Sequence, residues 1–132
     1  MKSKQVLSVE QMKHLQEIGL ELRNTSMLLW YKQMLGKIPI SDWELSVWRE
    51  SLFSEDHVYP AYTLQDILDK LPCFIGNEVL TIQKLADSYT CLYMEPYSGS
   101  MTNITESKEL IDAAYEMLCW CIENGYVEKE GK

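Results

Sequence analysis

The chain has 132 residues, of which 46% are hydrophobic and 24% are charged, and its formal net charge is −8. This length and composition fit one domain over residues 1–132 with its own core, and they exclude a globally disordered chain. The acidic balance argues against direct nucleic-acid binding, because phosphate contacts need a basic surface. No apolar run is long enough to cross a bilayer and no signal-peptide core follows Met1, so we predict a cytoplasmic protein without membrane contact.

The first predicted elements are a helix and a pair of strands. Ser8 and Gln11 match a Ser-x-x-Gln capping box, and apolar residues follow at helical spacing up to Gly19, a typical helix stop. Residues 27–32 are rich in apolar and aromatic side chains, whereas residues 43–47 alternate in polarity, and both patterns favour strands. The glycine and proline between the two runs predict an antiparallel pair with a longer connecting loop.

A second helix and a hairpin follow. Thr63 and Asp66 form the start of a helix predicted over residues 63–71, with Pro72 ending it. Residues 79–85 and 89–94 are two candidate strands separated by the short turn Ala86-Asp87-Ser88, which predicts a hairpin. The second of these strands is apolar on both faces, so we expect it inside the sheet.

The last predicted helix spans residues 106–124 and has two contrasting faces. At 100° per residue, its apolar side chains occupy one half of the cylinder. Trp120 borders the opposite side along one edge, and Tyr115 and Cys119 border it along the other. The residues between these edges form a stripe of carboxylates without a basic residue, which we call the acidic stripe: Glu109, Asp112, Glu116 and Glu123.

The predicted order is helix, two strands, helix, two strands, helix. This order is typical of an α+β fold in which an antiparallel or mixed sheet packs against helices. Frayed ends are expected at about residues 1–6 and 128–132. The sheet can leave an edge strand exposed, so a homodimer stays open.

Three stretches show a resemblance to a known group of proteins: residues 7–19 (LSVEQMKHLQEIG), 62–72 (YTLQDILDKLP) and 112–126 (DAAYEMLCWCIENGY). Together they resemble a group of small uncharacterised proteins encoded in prophages and integrated mobile elements of gut bacteria. The matching stretches run in order along nearly the whole chain, and each is mainly a helix with its caps. The resemblance implies a genomic setting and carries no catalytic residues with it.

The acidic stripe allows three interpretations. It is a solvated face whose charge is neutralised by Lys84 or another lysine of the fold, a docking surface for a basic protein, or a set of ligands for a divalent cation. The docking interpretation takes Trp120 as its anchor, since interface hot spots favour Trp and Tyr. Its predicted partner-binding residues lie on the stripe and its aromatic edges: Glu109, Asp112, Tyr115, Glu116, Trp120 and Glu123.

Catalytic, metal and cofactor sites find little support in the sequence. The spacing of the four cysteines does not suit a zinc site, and in keeping with the predicted cytoplasmic location we interpret them as reduced thiols, with Cys121 in the core. His14 shares a predicted helix face with Glu10 and Glu17, which favours a solvated polar face over a metal site. His57 lies in a predicted loop, and no nucleophile motif is present. We predict no catalytic residue, no metal and no cofactor.

These observations favour a non-catalytic accessory or modulator protein of phage or mobile-element origin that contacts an unidentified, basic partner protein. One version is an inhibitor that presents carboxylates to a nucleic-acid-binding protein in place of phosphates. The alternative is a small ligand-binding domain or enzyme with a pocket between sheet and helices, built from His57, tyrosines or scattered carboxylates.

Overall fold

A computed structural model describes residues 4–20, 27–31, 34–35, 38–39, 43–47 and 58–128. The fold is α+β, with helices packed on an antiparallel sheet, as the sequence predicts. The described elements, in chain order, are α1 (Val9–Glu17), β1 (Met27–Tyr31), β2 (Met34–Leu35), β3 (Ile38–Pro39), β4 (Trp43–Val47), β5 (Val58–Ala61), α2 (Leu64–Lys70), β6 (Phe74–Ile75), β7 (Glu78–Lys84), β8 (Tyr89–Met94), β9 (Met101–Ser107) and α3 (Leu110–Glu123).

Helix α1 begins and ends with the predicted signals. The Ser8 side chain accepts a hydrogen bond from the Gln11 backbone N–H, and the Gln11 side chain accepts one from the Ser8 backbone N–H. At the other end Gly19 has a φ of 125°. The Leu20 N–H donates to the Leu15 carbonyl at 3.0 Å and the Gly19 N–H to the Gln16 carbonyl at 3.2 Å. These two bonds form a Schellman motif. The helix ends here because glycine readily adopts the positive φ that the motif requires.

The predicted pairing of residues 27–32 with 43–47 is confirmed. Strands β1 and β4 are antiparallel, with Met27 opposite Val47 and Tyr31 opposite Trp43. The connection contains a further short hairpin, β2–β3, and β5 pairs with the other side of β1. The sequence pattern missed β5 because it contains Pro60, yet proline is tolerated in a strand at a sheet edge, where β5 lies.

The start of helix α2 is determined by the predicted capping residues, Thr63 and Asp66. Thr63 is the N-cap, and its hydroxyl accepts from the Asp66 N–H at 3.2 Å while the Asp66 carboxylate accepts from the Thr63 N–H at 3.0 Å. Leu71 is the C-cap, since Pro72 disfavours helical backbone at the residue before it. The helix is therefore placed within a residue of its predicted bounds.

The four-stranded sheet has the strand order β6-β7-β8-β9, and every neighbouring pair is antiparallel. The predicted hairpin is β7–β8, and β8 lies inside the sheet as its two apolar faces indicated. Strand β6 was not predicted and has only two residues.

Strand β9 corrects the predicted start of the last helix. The sequence places residues 106–109 in a helix, whereas residues 101–107 form a strand and the helix begins at Leu110. The reason is tertiary: the inner strand β8 needs a partner on its second edge, and Tyr89 and Thr90 pair with Ser107 and Glu106. β-branched residues in this segment also suit a strand.

The core lies between the four-stranded sheet and the helices. Helix α3 packs on β8 and β9, and α2 packs on α3. Helix α1 contributes Met12 and Leu15 to the same buried cluster, in which Tyr62, Tyr93 and Met117 are fully buried. None of the described helices is long and apolar enough to cross a membrane.

The N-terminal segment before α1 is held by the fold. The Leu7 N–H donates to the Tyr62 carbonyl at 3.0 Å, and Val6 forms a β-bridge with Thr63. The Lys4 N–H donates to the Glu109 side chain at 2.8 Å. Residues 4–6, expected among the frayed residues, thus lie against the start of α2 and α3, whereas residues 1–3 and 129–132 lie outside the described residues.

Candidate protein-binding surface

The buried face of α3 agrees with its predicted apolar half, with one addition. Ile111, Ala113, Ala114 and the later apolar positions of that half are buried, while Leu110 is half-buried. Cys119 was expected on an exposed edge beside Tyr115 but is only 8% exposed. The sequence pattern missed this because residues packed around α3 cover more of the cylinder than half of it. Cys119 therefore belongs to the core.

The N-terminal half of the acidic stripe is used within the molecule. Lys4 Nζ forms an ion pair with Asp112 Oδ1 at 2.7 Å, and the Gln11 side-chain amide donates to the same oxygen at 2.9 Å. Glu109 accepts the Lys4 backbone N–H through Oε1. The predicted neutralising lysine thus exists, although it is Lys4 rather than Lys84. Glu109 and Asp112 are half-buried and fasten the N-terminal segment to α3.

The C-terminal half of the stripe faces solvent. Glu116 and Glu123 are both exposed. Neither forms an ion pair with any described residue. Two carboxylates on one helix face that lack a described counter-charge create a local negative potential, which favours an approaching cation.

An aromatic pair lies beside these carboxylates. Trp120 is half-buried against the core and stacks on Tyr126, with ring centroids 5.3 Å apart and an interplanar angle of 26°. Tyr126 is held after the helix by its N–H, which donates to the Cys121 carbonyl at 2.8 Å, and its side chain is 45% exposed. The stack is therefore a fixed, partly exposed aromatic surface, and sequence reasoning missed Tyr126 as a member of it.

Tyr115 forms the opposite edge. Its ring meets the exposed His14 of α1 edge-on, with centroids 6.4 Å apart and an angle of 65°. Burial, followed by the charge and hydrogen bond of Cys119, raises the pKa of the Tyr115 phenol above its ordinary value. The phenol consequently stays protonated at neutral pH and serves as a packed, polar-tipped edge rather than as a base.

The cysteines are free, and three of them are buried. Burial raises the pKa of Cys91 to about 12 and the pKa values of Cys119 and Cys121 to about 11. These thiols remain protonated at neutral pH, and since the thiolate is the reactive form they are poor nucleophiles. Cys73 is the exposed thiol.

The histidine and carboxylate pattern of α1 lies on a solvated face. Glu10, His14 and Glu17 are all exposed. Within the described ranges, His, Cys, Asp and Glu side chains form no group of three that could hold a metal ion. His57 lies outside the described residues.

The described residues line two open clefts that border the helices. One has a volume of about 360 Å³ and lies where the β9–α3 connection meets α2 and the N-terminal segment, with Lys4, Tyr89, Lys108 and Glu109 on its wall. The other, of about 280 Å³, lies beside Tyr62 and the polar side of α2. The larger cleft brings two ammonium groups near the first turn of α3, although Lys4 is already paired with Asp112.

The predicted partner-binding residues are thus divided by the structure. Tyr115, Glu116, Trp120 and Glu123 lie together on the outer side of α3 and are joined by Tyr126, whereas Glu109 and Asp112 bind the N-terminal segment. We call the first group, Tyr115, Glu116, Trp120, Glu123 and Tyr126, the helix surface. Comparisons of the chain with protein-family models, with curated proteins and with solved structures found no match.

Proposed function

We propose that this chain is a non-catalytic accessory or modulator protein that binds a basic partner protein through the helix surface. The observation that supports the proposal is the combination of two exposed carboxylates without a described counter-charge and a partly exposed Trp120–Tyr126 stack. Such a surface offers a cation the charge of Glu116 and Glu123 and an aromatic ring to pack on. The phage or mobile-element origin belongs to the same proposal and rests on the sequence resemblance.

The geometry suits a lysine- or arginine-rich partner. Tryptophan and tyrosine rings bury large areas at interfaces, and their faces attract cations. Because Tyr126 already holds the Trp120 ring in place, little conformational entropy is lost when a partner covers it. The rim carboxylates would mainly raise the association rate and select against acidic partners.

The test is affinity capture from a bacterial lysate by wild type and by a Glu116→Lys, Trp120→Ala, Glu123→Lys variant. We expect the wild type to retain a partner that the variant loses and that high salt releases. A matched control, Glu10→Lys with Asp87→Lys, reverses two exposed carboxylates elsewhere and should retain the partner. Thermal unfolding of each variant checks that it is folded. Equal capture by all three proteins would place the binding site elsewhere.

The larger cleft favours one second candidate, a small-ligand-binding domain. Lys4, Lys108 and the Tyr89 side chain border a space of about 360 Å³, which is the size of a small ligand pocket. A thermal shift screen with small anionic metabolites tests it, because a ligand that binds the native state alone raises the midpoint of unfolding. A ligand that stabilises the wild type but not Lys108→Met would support this candidate, and no stabilisation by any of them would remove it.

A further inference from the structure

The two faces of the four-stranded sheet differ in what covers them. The Thr105 hydroxyl donates to the Ala113 carbonyl at 2.6 Å, and the Asn103 side-chain amide contacts Met117 Sδ at 3.7 Å. Helix α3 therefore packs on the face that Asn103 and Thr105 share. We call the opposite face, which contains Ile104, the outer sheet face. Its other members follow from the pairing register, because residues directly opposite each other in antiparallel strands lie on the same face.

The outer sheet face consists of three rows that run across the strands. The first row is apolar and crosses all four strands: Phe74, Val79, Met94 and Met101. The second is mainly apolar and crosses three strands: Thr81, Leu92 and Ile104. The third is polar: Gln83, Thr90 and Glu106. Phe74, Met101 and Ile104 are 63%, 50% and 49% exposed, so the apolar rows are open to solvent at both edges of the sheet.

A bulge in β9 brings Met101 onto this face. Leu92 of β8 lies opposite Ile104, but Met94, two residues later, lies opposite Met101, three residues earlier than Ile104. Strand β9 thus has one extra residue in this stretch. In a regular strand, residues three positions apart lie on opposite faces, so Met101 would point towards α3. The bulge re-aims it and completes the apolar row, and contiguous apolar surface of this kind marks an interaction site.

The distribution of charge indicates which occupant fits the outer sheet face. The chain has a net charge of −8, yet Glu106 is the only charged residue in the three rows. A strongly charged partner would find no complementary charge on the two apolar rows, so attraction there is hydrophobic. Two copies of an acidic chain repel each other, and a face with one charged residue lets them approach with little added repulsion.

We propose that the outer sheet face packs on the outer sheet face of a second copy of this chain. A two-fold axis places the apolar rows of the copies against each other, as in a sandwich of two sheets about 10 Å apart. The three rows expose on the order of 600 Å² per copy, so the dimer buries about 1,200 Å², the lower limit for specific interfaces. The dimer is therefore weak and reversible. It is separate from the helix surface and does not depend on the proposed function.

The test places a lysine at each edge of the outer sheet face and, as a control, one on the other face. Ile104→Lys changes the edge strand β9 and Phe74→Lys changes the edge strand β6, so a face-to-face dimer responds to both. The matched control is Ile82→Lys, since Ile82 is 40% exposed and lies opposite Cys91, which pairs with Thr105 on the α3 side. Each lysine makes the chain less negative, so stronger repulsion between copies does not explain a weaker dimer.

The measurement is sedimentation equilibrium from about 1 μM to about 1 mM protein, in which the monomer has a mass of 15.4 kDa. We expect a wild-type dimer whose Kd rises at least about tenfold in Ile104→Lys and in Phe74→Lys, because each buries an ammonium. Ile82→Lys should change the Kd by less than about twofold. High salt should tighten the wild-type dimer, because it screens the repulsion between acidic chains and leaves the apolar contact.

Four results would overturn the proposal. These are a wild type that stays monomeric over the whole range at high salt, a dimer that high salt weakens, a dimer that responds to neither or only one of the two edge variants, and a control as damaging as they are. Thermal unfolding shows whether each variant is folded. Met101→Lys replaces an unfolded Ile104 variant, and Leu85→Lys, at a side chain 44% exposed after β7, replaces an unfolded control.

Discussion

At the residue scale, Lys4 connects three parts of the fold through its side chain and its backbone. Its ammonium lies 2.7 Å from Asp112 and 2.8 Å from the Gln11 side-chain oxygen, and its backbone N–H binds Glu109. One residue thus joins the N-terminal segment, α1 and the start of α3. Its one positive charge also offsets the charge of Asp112, whereas Glu116 and Glu123 form no ion pair with any described residue.

The Lys4–Asp112 ion pair is expected to stabilise the fold only modestly. The side chains of Lys4 and Asp112 are 30% and 26% exposed, so water screens their attraction. We expect Lys4→Met to lower the free energy of unfolding by about 0.2–1 kcal/mol, measured by urea denaturation. A double-mutant cycle with Asp112→Asn isolates the pair. Lys84→Met, an exposed lysine on β7, is the control and should have no effect. A coupling energy of zero would show that the Lys4–Asp112 ion pair does not stabilise the fold.

The buried thiols make the stability of the folded chain depend on pH. Burial raises their pKa values from 9.0 to about 12 for Cys91 and to about 11 for Cys119 and Cys121, so the folded chain holds these protons more tightly than the unfolded chain. The resulting stability is complete below pH 9 and is lost as pH rises from 9 through 11 to 12. Tyr93, whose pKa is also raised by burial, acts in the same direction.

We therefore expect the free energy of unfolding to fall steadily above pH 9 under reducing conditions. Urea denaturation at several pH values between 8 and 11 measures it. Cys121→Ser should reduce the steepness of the decline, because one titrating group is removed, and Cys73→Ser at the exposed thiol should not. A stability that stays constant up to pH 11 would be incompatible with buried, protonated thiols.

The junction of β9 and α3 is the important contact at the scale of elements. The Thr105 hydroxyl donates to the Ala113 carbonyl at 2.6 Å and thereby joins the edge strand to the helix that packs on it. Thr105→Val keeps the shape of the side chain and removes the donor. We expect it to lower the free energy of unfolding by about 0.5–1.5 kcal/mol.

The matched control for this contact is Thr102→Val at an exposed position of the same strand. It makes an equal change in chemistry without a partner, so its effect should be small. Chemical denaturation of the two variants side by side gives the comparison. Equal losses would mean that strand propensity, rather than the bond to Ala113, determines the outcome.

Elements with local signals could be predicted from the sequence, and elements without them could not. The ends of α1 and α2 follow from Ser8 and Thr63 and their partners three residues later, because capping is decided within one turn. The last two residues of β9, 106 and 107, were assigned to the start of α3 and the rest of the strand was not predicted, since its pairing with β8 is a tertiary contact that no local pattern reveals. β5 was missed because Pro60 marks it as a break.

In the candidate surface, too, only the features with a local sequence signal could be predicted. Periodicity placed Glu116, Trp120 and Glu123 on one side of the helix, and the structure agrees. It did not show that Lys4 would bind Asp112, which lies 108 residues away in sequence, or that Tyr126 would stack on Trp120. The contact of Lys4 with Asp112 depends on the tertiary fold, and the stack of Tyr126 on Trp120 depends on the turn after α3, so helical periodicity identifies neither.

At the scale of the whole molecule, the net charge of −8 and the proposed helix surface act together. An acidic chain attracts basic partners over a distance and repels its own copies, and both effects weaken with salt.

The central claim is that a partner contacts the helix surface, and site-specific photo-crosslinking tests it most directly. Trp120→p-benzoylphenylalanine and Tyr115→p-benzoylphenylalanine keep an aromatic ring at each edge of the surface, and Tyr97→p-benzoylphenylalanine places the probe at a side chain that is 99% exposed. After illumination in a bacterial lysate, we expect the same heavier adduct from positions 120 and 115 and none from position 97. An adduct from position 97 without one from position 120 or 115 would contradict the claim.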